Sequence, residues 1–188
     1  GAECSEVMEI LCKSVRPADT EADVAARMQA LAARRAIETY VCLIAADDRV
    51  LKYRHPIYTR RPIERCAMVV MCGRRHGLIA NLTRIVHFGP LPRDLRKRHD
   101  ACCAVDAALN LGTRVGRPVG DIFQDGVRVY ADRGFPGEWK HHHQGGPTGY
   151  AGRDYFGVPG EARTVQRNQA FAWNPSIAGT KSEDTILV

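Results

Sequence analysis

The stretch Ala67–Phe88, AMVVMCGRRHGLIANLTRIVHF, decides the fold. Its first part, Ala67–Met71, is apolar and suited to a strand, Gly73–Gly77 reads as the turn, and Leu78–Phe88 is the return strand. Upstream, Glu38–Ala45 is another apolar, β-branched run and reads as a buried strand. Before it, Val7, Ile10 and Leu11 are spaced for one helix face, which Arg16-Pro17 terminates. Thr20 offers an N-cap with Asp23 three residues on, and Ala25, Met28, Leu31 and Ala32 form the stripe of a second helix. Downstream, Pro90 and Pro92 open a long helix whose apolar face is Leu91, Leu95, Cys102, Val105 and Leu109, closed by Gly112. Another helix runs from Val119 to about Tyr130, and strands resume near Thr164–Trp173 and Asp184–Val188. Between them, residues 134–160 are rich in glycine and proline, a composition suited to a loop-built site. The pattern is an α+β fold, with helices covering one face of a curved antiparallel sheet.

Composition narrows the function. The chain has 188 residues, 45% hydrophobic and 26% charged, which suits one globular domain and excludes extensive disorder. No apolar run reaches the ~18 residues of a membrane span. The start, GAECSEVMEI, lacks the layout of a signal peptide, so the expectation is a soluble, cytoplasmic protein with no membrane partner. Seven cysteines, an odd count without a CxxC pair, read as small buried hydrophobes rather than as disulfides or a zinc site. The net charge is +6, yet the basic residues are dispersed apart from Arg93–Arg98 and Arg60-Arg61. Aromatic residues do not interleave with them, so nucleic acid is not an expected partner.

Three strings could carry chemistry. His141-His142-His143-Gln144-Gly145-Gly146 is the most unusual; on a strand His141 and His143 would share one face and His142 the other. Trp173-Asn174-Pro175-Ser176 precedes Lys181-Ser182-Glu183-Asp184-Thr185, where two adjacent carboxylates follow a lysine. Burying such carboxylates requires partners. Arg54-His55-Pro56 is the third, and Arg84, on the return strand of the hairpin, calls for Glu183 or Asp184 as its partner. There is no Ser-His-Asp pattern and no phosphate-binding loop.

The order of these strings resembles the creatinase/aminopeptidase P/methionine aminopeptidase superfamily, peptidase family M24, over nearly the whole chain. Val70-Met71-Cys72-Gly73, Gly77 and Asn81-Leu82-Thr83-Arg84 resemble its Asp-x-Gly … Asp-x-Thr-Arg hairpin. His142-x-x-Gly145-Gly146-x-x-Gly149 resembles His-x-x-Gly-His-Gly-x-Gly, Asn174-Pro175 its Glu-Pro-Gly turn, and Ser182-Glu183-Asp184-Thr185 its closing Glu-Asp-Thr. The resemblance implies the pita-bread fold over residues 1–188, as the C-terminal, catalytic-type domain of a longer protein, and a homodimer as the candidate assembly. It places His55 at the family's early substrate-side histidine and His142 at the first histidine of His-x-x-Gly-His.

The departures are as informative. The family's two metal ions are held by two aspartates, a histidine and two glutamates; carried over, these fall on Met71, Asn81, Gly146, Asn174 and Glu183, and a later histidine falls on Arg153. Only Glu183 keeps a carboxylate. Two divalent ions need more anionic charge than one glutamate supplies, and loss of even indirect ligand support costs 10–100-fold in affinity. The expectation is therefore no metal and no cofactor. His55 and His142 are assigned acid/base roles. Asn81, Arg84, His143, Gln144, Arg153, Asn174, Lys181 and Glu183 are expected to line a cationic pocket for a small-molecule or peptide ligand. The alternatives are a pseudo-peptidase that binds a protein or peptide in the old cleft and, less favoured, a surviving metal-dependent Xaa-Pro-type aminopeptidase.

Overall fold

In the computed structural model, which describes residues 1–188 throughout, the chain opens with α1 (Ala2–Ser14) and α2 (Glu21–Ala33). The α2 capping box forms as expected: Thr20 Oγ1 accepts from the Asp23 amide at 3.1 Å, and the Asp23 carboxylate accepts from the Thr20 amide at 2.9 Å. A cap of this kind is worth ~1 kcal/mol. The inward face of α1 is Cys4, Val7, Met8 and Leu11. Ile10, expected on that face, is 44% exposed, because the i, i+3, i+4, i+7 row starting at Cys4 takes the seam. On α2, Val24 joins Ala25, Met28 and Ala32 in the core, and Leu31 is only partly buried.

Strands β1 (Glu38–Ala46), β2 (Cys66–Arg75) and β3 (Leu78–His87) form an antiparallel sheet in that order, with the short helix α3 (Asp48–Lys52) after β1. The β2–β3 turn is tighter than the sequence suggested. Arg75 pairs with Leu78, leaving only His76 (φ 53°) and Gly77 (φ 81°) between the strands. Two successive positive φ values are what a two-residue hairpin on twisted strands requires. Register pairs Met71 with Leu82 and Cys72 with Asn81. Side chains alternate across the sheet, so the first pair packs into the core beneath α1 and α2 and the second faces the opposite side.

The second half holds α4 (Arg93–Gly112), α5 (Val119–Asp132) and a 3-10 turn at Glu138–His141. The strands β4 (Gly145–Thr148), β5 (Ala170–Trp173), β6 (Ser176–Ile177), β7 (Thr180–Lys181) and β8 (Asp184–Leu187) follow. A second antiparallel sheet has the order β4-β5-β8, with β6 and β7 as a separate small hairpin. The strand expected over Thr164–Trp173 is confined to β5; Thr164 makes only an isolated bridge to Pro118. A second core packs Phe171 and Trp173 against Val105 and Leu109 of α4 and Ile122 and Tyr130 of α5. The Trp173 indole donates to Thr113 Oγ1 at 2.8 Å, which satisfies its one buried polar atom. The two sheets meet where the Thr83 amide donates to the Glu183 carbonyl at 3.0 Å. That bridge sets the open face of β2–β3 against the loops carrying His142, Arg153 and Asn174. No helix is long and apolar enough to cross a membrane.

Candidate functional site

A cleft of about 340 Å³ lies against this face, which is large enough for a small ligand. Glu183 is at its floor, 2% exposed. Its Oε2 accepts from Thr83 Oγ1 at 2.7 Å and lies 3.2 Å from Lys181 Nζ; its Oε1 accepts from Arg153 Nη2 at 2.9 Å. Burial by itself would push this carboxyl up; the Lys181 ammonium, the Arg153 guanidinium and the Thr83 hydroxyl outweigh it and hold Glu183 below its ordinary value. Lys181 and Arg153 thus bring two positive charges to one negative charge, and no other Asp, Glu, Lys or Arg lines the cleft. Several polar atoms here lack partners: Arg153 Nε, Asn81 Oδ1 and Asn174 Oδ1 are buried and unbonded. Buried polar groups are normally paired, so an unpaired set around a cleft marks a place for a ligand. Tyr40 and Phe156, each about half exposed, add apolar walls.

The histidines sit beside this cluster. His142 Nε2 and His55 Nε2 are 3.0 Å apart, their rings 4.4 Å between centroids. His142 and His143 stack at 4.5 Å and 22°, and His143 also meets Phe156 at 4.6 Å. The expected alternation, with His141 and His143 on one face, does not occur. His141 ends the 3-10 turn and is exposed, and β4 starts only at Gly145, so His142 and His143 are not on a strand. Desolvation, reinforced by the charge of Lys181 on all three and of Arg153 on His55 and His143, lowers each of them: His55 and His142 fall below their ordinary value and His143 to about 4. The shift in each case favours the neutral imidazole.

The structure gathers His55, Asn81, His143, Arg153, Asn174, Lys181 and Glu183 around the cleft, with His142 behind His55. It leaves Arg84 and Gln144 out. Arg84 pairs with Asp184 at 2.8 Å on a half-exposed rim, so its partner is Asp184 and not Glu183's carboxylate. Gln144 is a structural bracket: its amide donates to the His142 and Trp139 carbonyls and its oxygen accepts from Tyr130. Met71 is likewise displaced. It is fully buried in the core, and the β2 side chain that stands beside Asn81 is Cys72. Successive residues of a strand face opposite sides, so Met71 and Cys72, one residue apart, cannot both face the cleft. Sequence reading missed Cys72, whose thiol burial pushes up to about 12. It also missed Asp106, buried on α4, where its carboxylate accepts from Ser182 at 2.6 Å and Asn110 at 3.0 Å. The signal for Asp106 was present, since a carboxylate four residues after Cys102 falls on that helix's apolar stripe.

Comparison with solved structures places this fold firmly. Dipeptidase PepE from Mycobacterium ulcerans matches with a TM-score of 0.90 at 20% identity, covering 100% of this chain and 53% of that one. Prolidase from Pyrococcus furiosus matches at 0.89 and 14%, covering 100% and 58%. X-Pro aminopeptidase from Thermotoga maritima matches at 0.84 and 12%, covering 100% and 55%. The chain therefore spans little more than half the length of each, and at these identities the likeness concerns the fold, the pita-bread arrangement. A sequence comparison with curated proteins gives no match. The model of metallopeptidase family M24 matches residues 1–188, and the protein belongs to that family.

Proposed function

We propose that this M24 domain has no dinuclear metal centre and that its cleft instead binds, or acts on, a small anionic or peptide-like ligand. The observation that carries the reading is the charge balance at Glu183. The cleft's one carboxylate already faces an ammonium, a guanidinium and a hydroxyl. A divalent ion at Glu183 would have to displace Lys181, whose Nζ lies within ion-pair distance of the same oxygen. The remaining donors supply no anionic charge for hard metal ions: two neutral asparagine oxygens, a thiol held protonated and the imidazoles of His55 and His143. Gly146, where the family resemblance places a histidine ligand, admits no side chain. A Cβ there would lie 2.4 Å from the Tyr155 carbonyl oxygen and 3.2 Å from the Gly157 nitrogen.

The residues present perform a different task. Lys181 and Arg153 hold one positive charge in surplus over Glu183, and a ligand carboxylate offsets it. Lys181 retains ammonium protons beyond its contact with Glu183, and Arg153 Nε is unpaired, so both can donate to that carboxylate. Asn81 Oδ1 and Asn174 Oδ1 can accept from a ligand amine or amide. Tyr40 and Phe156 offer room for an apolar side group. At the His55–His142 contact one neutral imidazole donates and the other accepts, so the pair can hold or pass a proton beside the ligand.

Titration calorimetry with a dipeptide and its C-terminal amide tests the reading. The free carboxylate is expected to bind at least ~10-fold tighter than the amide, a difference that Arg153→Met removes. Equal affinity for the two forms, or no binding of any small carboxylate to the wild-type chain, contradicts it.

A further inference from the structure

We infer that His55, His142 and His143 form a mononuclear site for a borderline transition-metal ion, such as zinc or copper(II), separate from the Glu183 cluster. One ring nitrogen from each histidine lies within 4.8 Å of the others, and the His55–His142 nitrogens are 3.0 Å apart. Tetrahedral zinc with Zn–N bonds of ~2.0–2.1 Å spaces its nitrogens by roughly 3.3 Å, so one pair is already near that separation and the third needs a modest closure. The second observation is the state of the outer nitrogens. His142, 8% exposed, has a buried Nδ1 with no partner, and so does His143. His142 and His143 thus each carry a buried ring nitrogen whose hydrogen-bonding capacity the protein leaves unused, so neither ring is pinned from behind and either can turn a nitrogen toward a shared ion. Imidazole donors without carboxylates favour zinc, copper or nickel over manganese, magnesium or calcium.

The surroundings limit how the ion binds. Lys181 and Arg153 act on the histidines as nearby positive charges, with Glu183 opposing them in part. A dication there is repelled unless hydroxide or another anion completes its coordination. This inference does not rest on the anionic-ligand reading, and Lys181 separates the two. Replacing it with methionine weakens binding of a carboxylate and tightens binding of the metal, because the same charge attracts one and repels the other.

The test is calorimetric titration of the metal-free full chain with zinc alone, followed by cobalt(II) absorption spectroscopy. The expected result is one equivalent of zinc, weakened at least 100-fold in His55→Ala and in His143→Ala and tightened severalfold in Lys181→Met. Circular dichroism checks folding; His55 is exposed and His143 half-buried, so neither truncation empties the core. Cobalt should give visible bands without a thiolate charge-transfer band. Binding unchanged in both histidine variants, a thiolate band, or no zinc retained by the folded wild-type chain overturns the inference.

Discussion

Glu21 and Glu183 are both buried carboxylates, and their surroundings separate the two halves of the molecule. Glu21, 0% exposed, accepts from the Ala46 amide at 2.7 Å, Arg49 Nε at 2.8 Å, and the Thr59 amide and hydroxyl at 2.7 and 2.8 Å. One cation meets one anion, both oxygens are used, and the cleft does not reach it. Glu183 meets two cations in an open cleft beside unpaired polar atoms. The first is a closed network that ties α2 to β1 and to the 57–61 loop. The second, on the proposed reading, is completed by a bound anion. The excess of cation over anion, and not burial, distinguishes the site from the scaffold.

The largest effect belongs to the closed network. Glu21→Ala should cost ~3–5 kcal/mol in urea unfolding, because Arg49 and the backbone donors lose their acceptor at once. Added salts of small carboxylic acids should recover none of it. Glu183→Gln should cost less, ~2–4 kcal/mol, and formate or acetate should restore part of the melting temperature by binding between Lys181 and Arg153. Equal rescue of both variants would erase the comparison.

A third carboxylate sharpens it through pH. Burial raises Asp106 to about 6, against hydrogen bonds from Ser182 and Asn110 that lower it. The folded chain then binds a proton that the unfolded chain releases between roughly pH 4 and 6, so this group's contribution to stability falls as pH rises through that window. Glu183 has the opposite sign: its depressed value means stability present at neutral pH and lost as pH falls below the ordinary carboxylate range. Asp106→Asn should flatten the first dependence, worth about 2 kcal/mol between pH 4 and 7, and leave the acid loss due to Glu183. Urea midpoints across pH 2–8 measure both. The smallest stability effect is expected for Arg153→Met, within ~1 kcal/mol, because Lys181 still balances Glu183. Its ligand affinity, not its melting temperature, should change.

Sequence alone carried most of the first half. The capping box at Thr20, the strand from Glu38 and the hairpin all obey local rules that residue type and spacing express. The second half was less legible because its short strands are held by tertiary packing; only Ala170–Trp173 of the expected longer strand pairs, against β4 and β8. At the site, residue types were visible but directions were not. Arg84 and Gln144 are polar residues in the right segments whose side chains point elsewhere. Cys72 takes the place beside Asn81 because strand parity, unlike motif spacing, depends on the length of the turn. The meeting of His55 with His142, 87 residues apart, left no local trace.

The most direct test of the central claim is manganese retention. The purified chain is incubated with excess manganese(II), desalted, and its bound metal counted by elemental analysis, beside Glu183→Gln. The account predicts that no manganese stays with the folded wild-type chain, since Glu183 is committed to Lys181 and Arg153 and the histidines prefer softer ions. Retention of one or two equivalents, lost in Glu183→Gln, would contradict it and restore a metal-dependent hydrolase centre in the cleft.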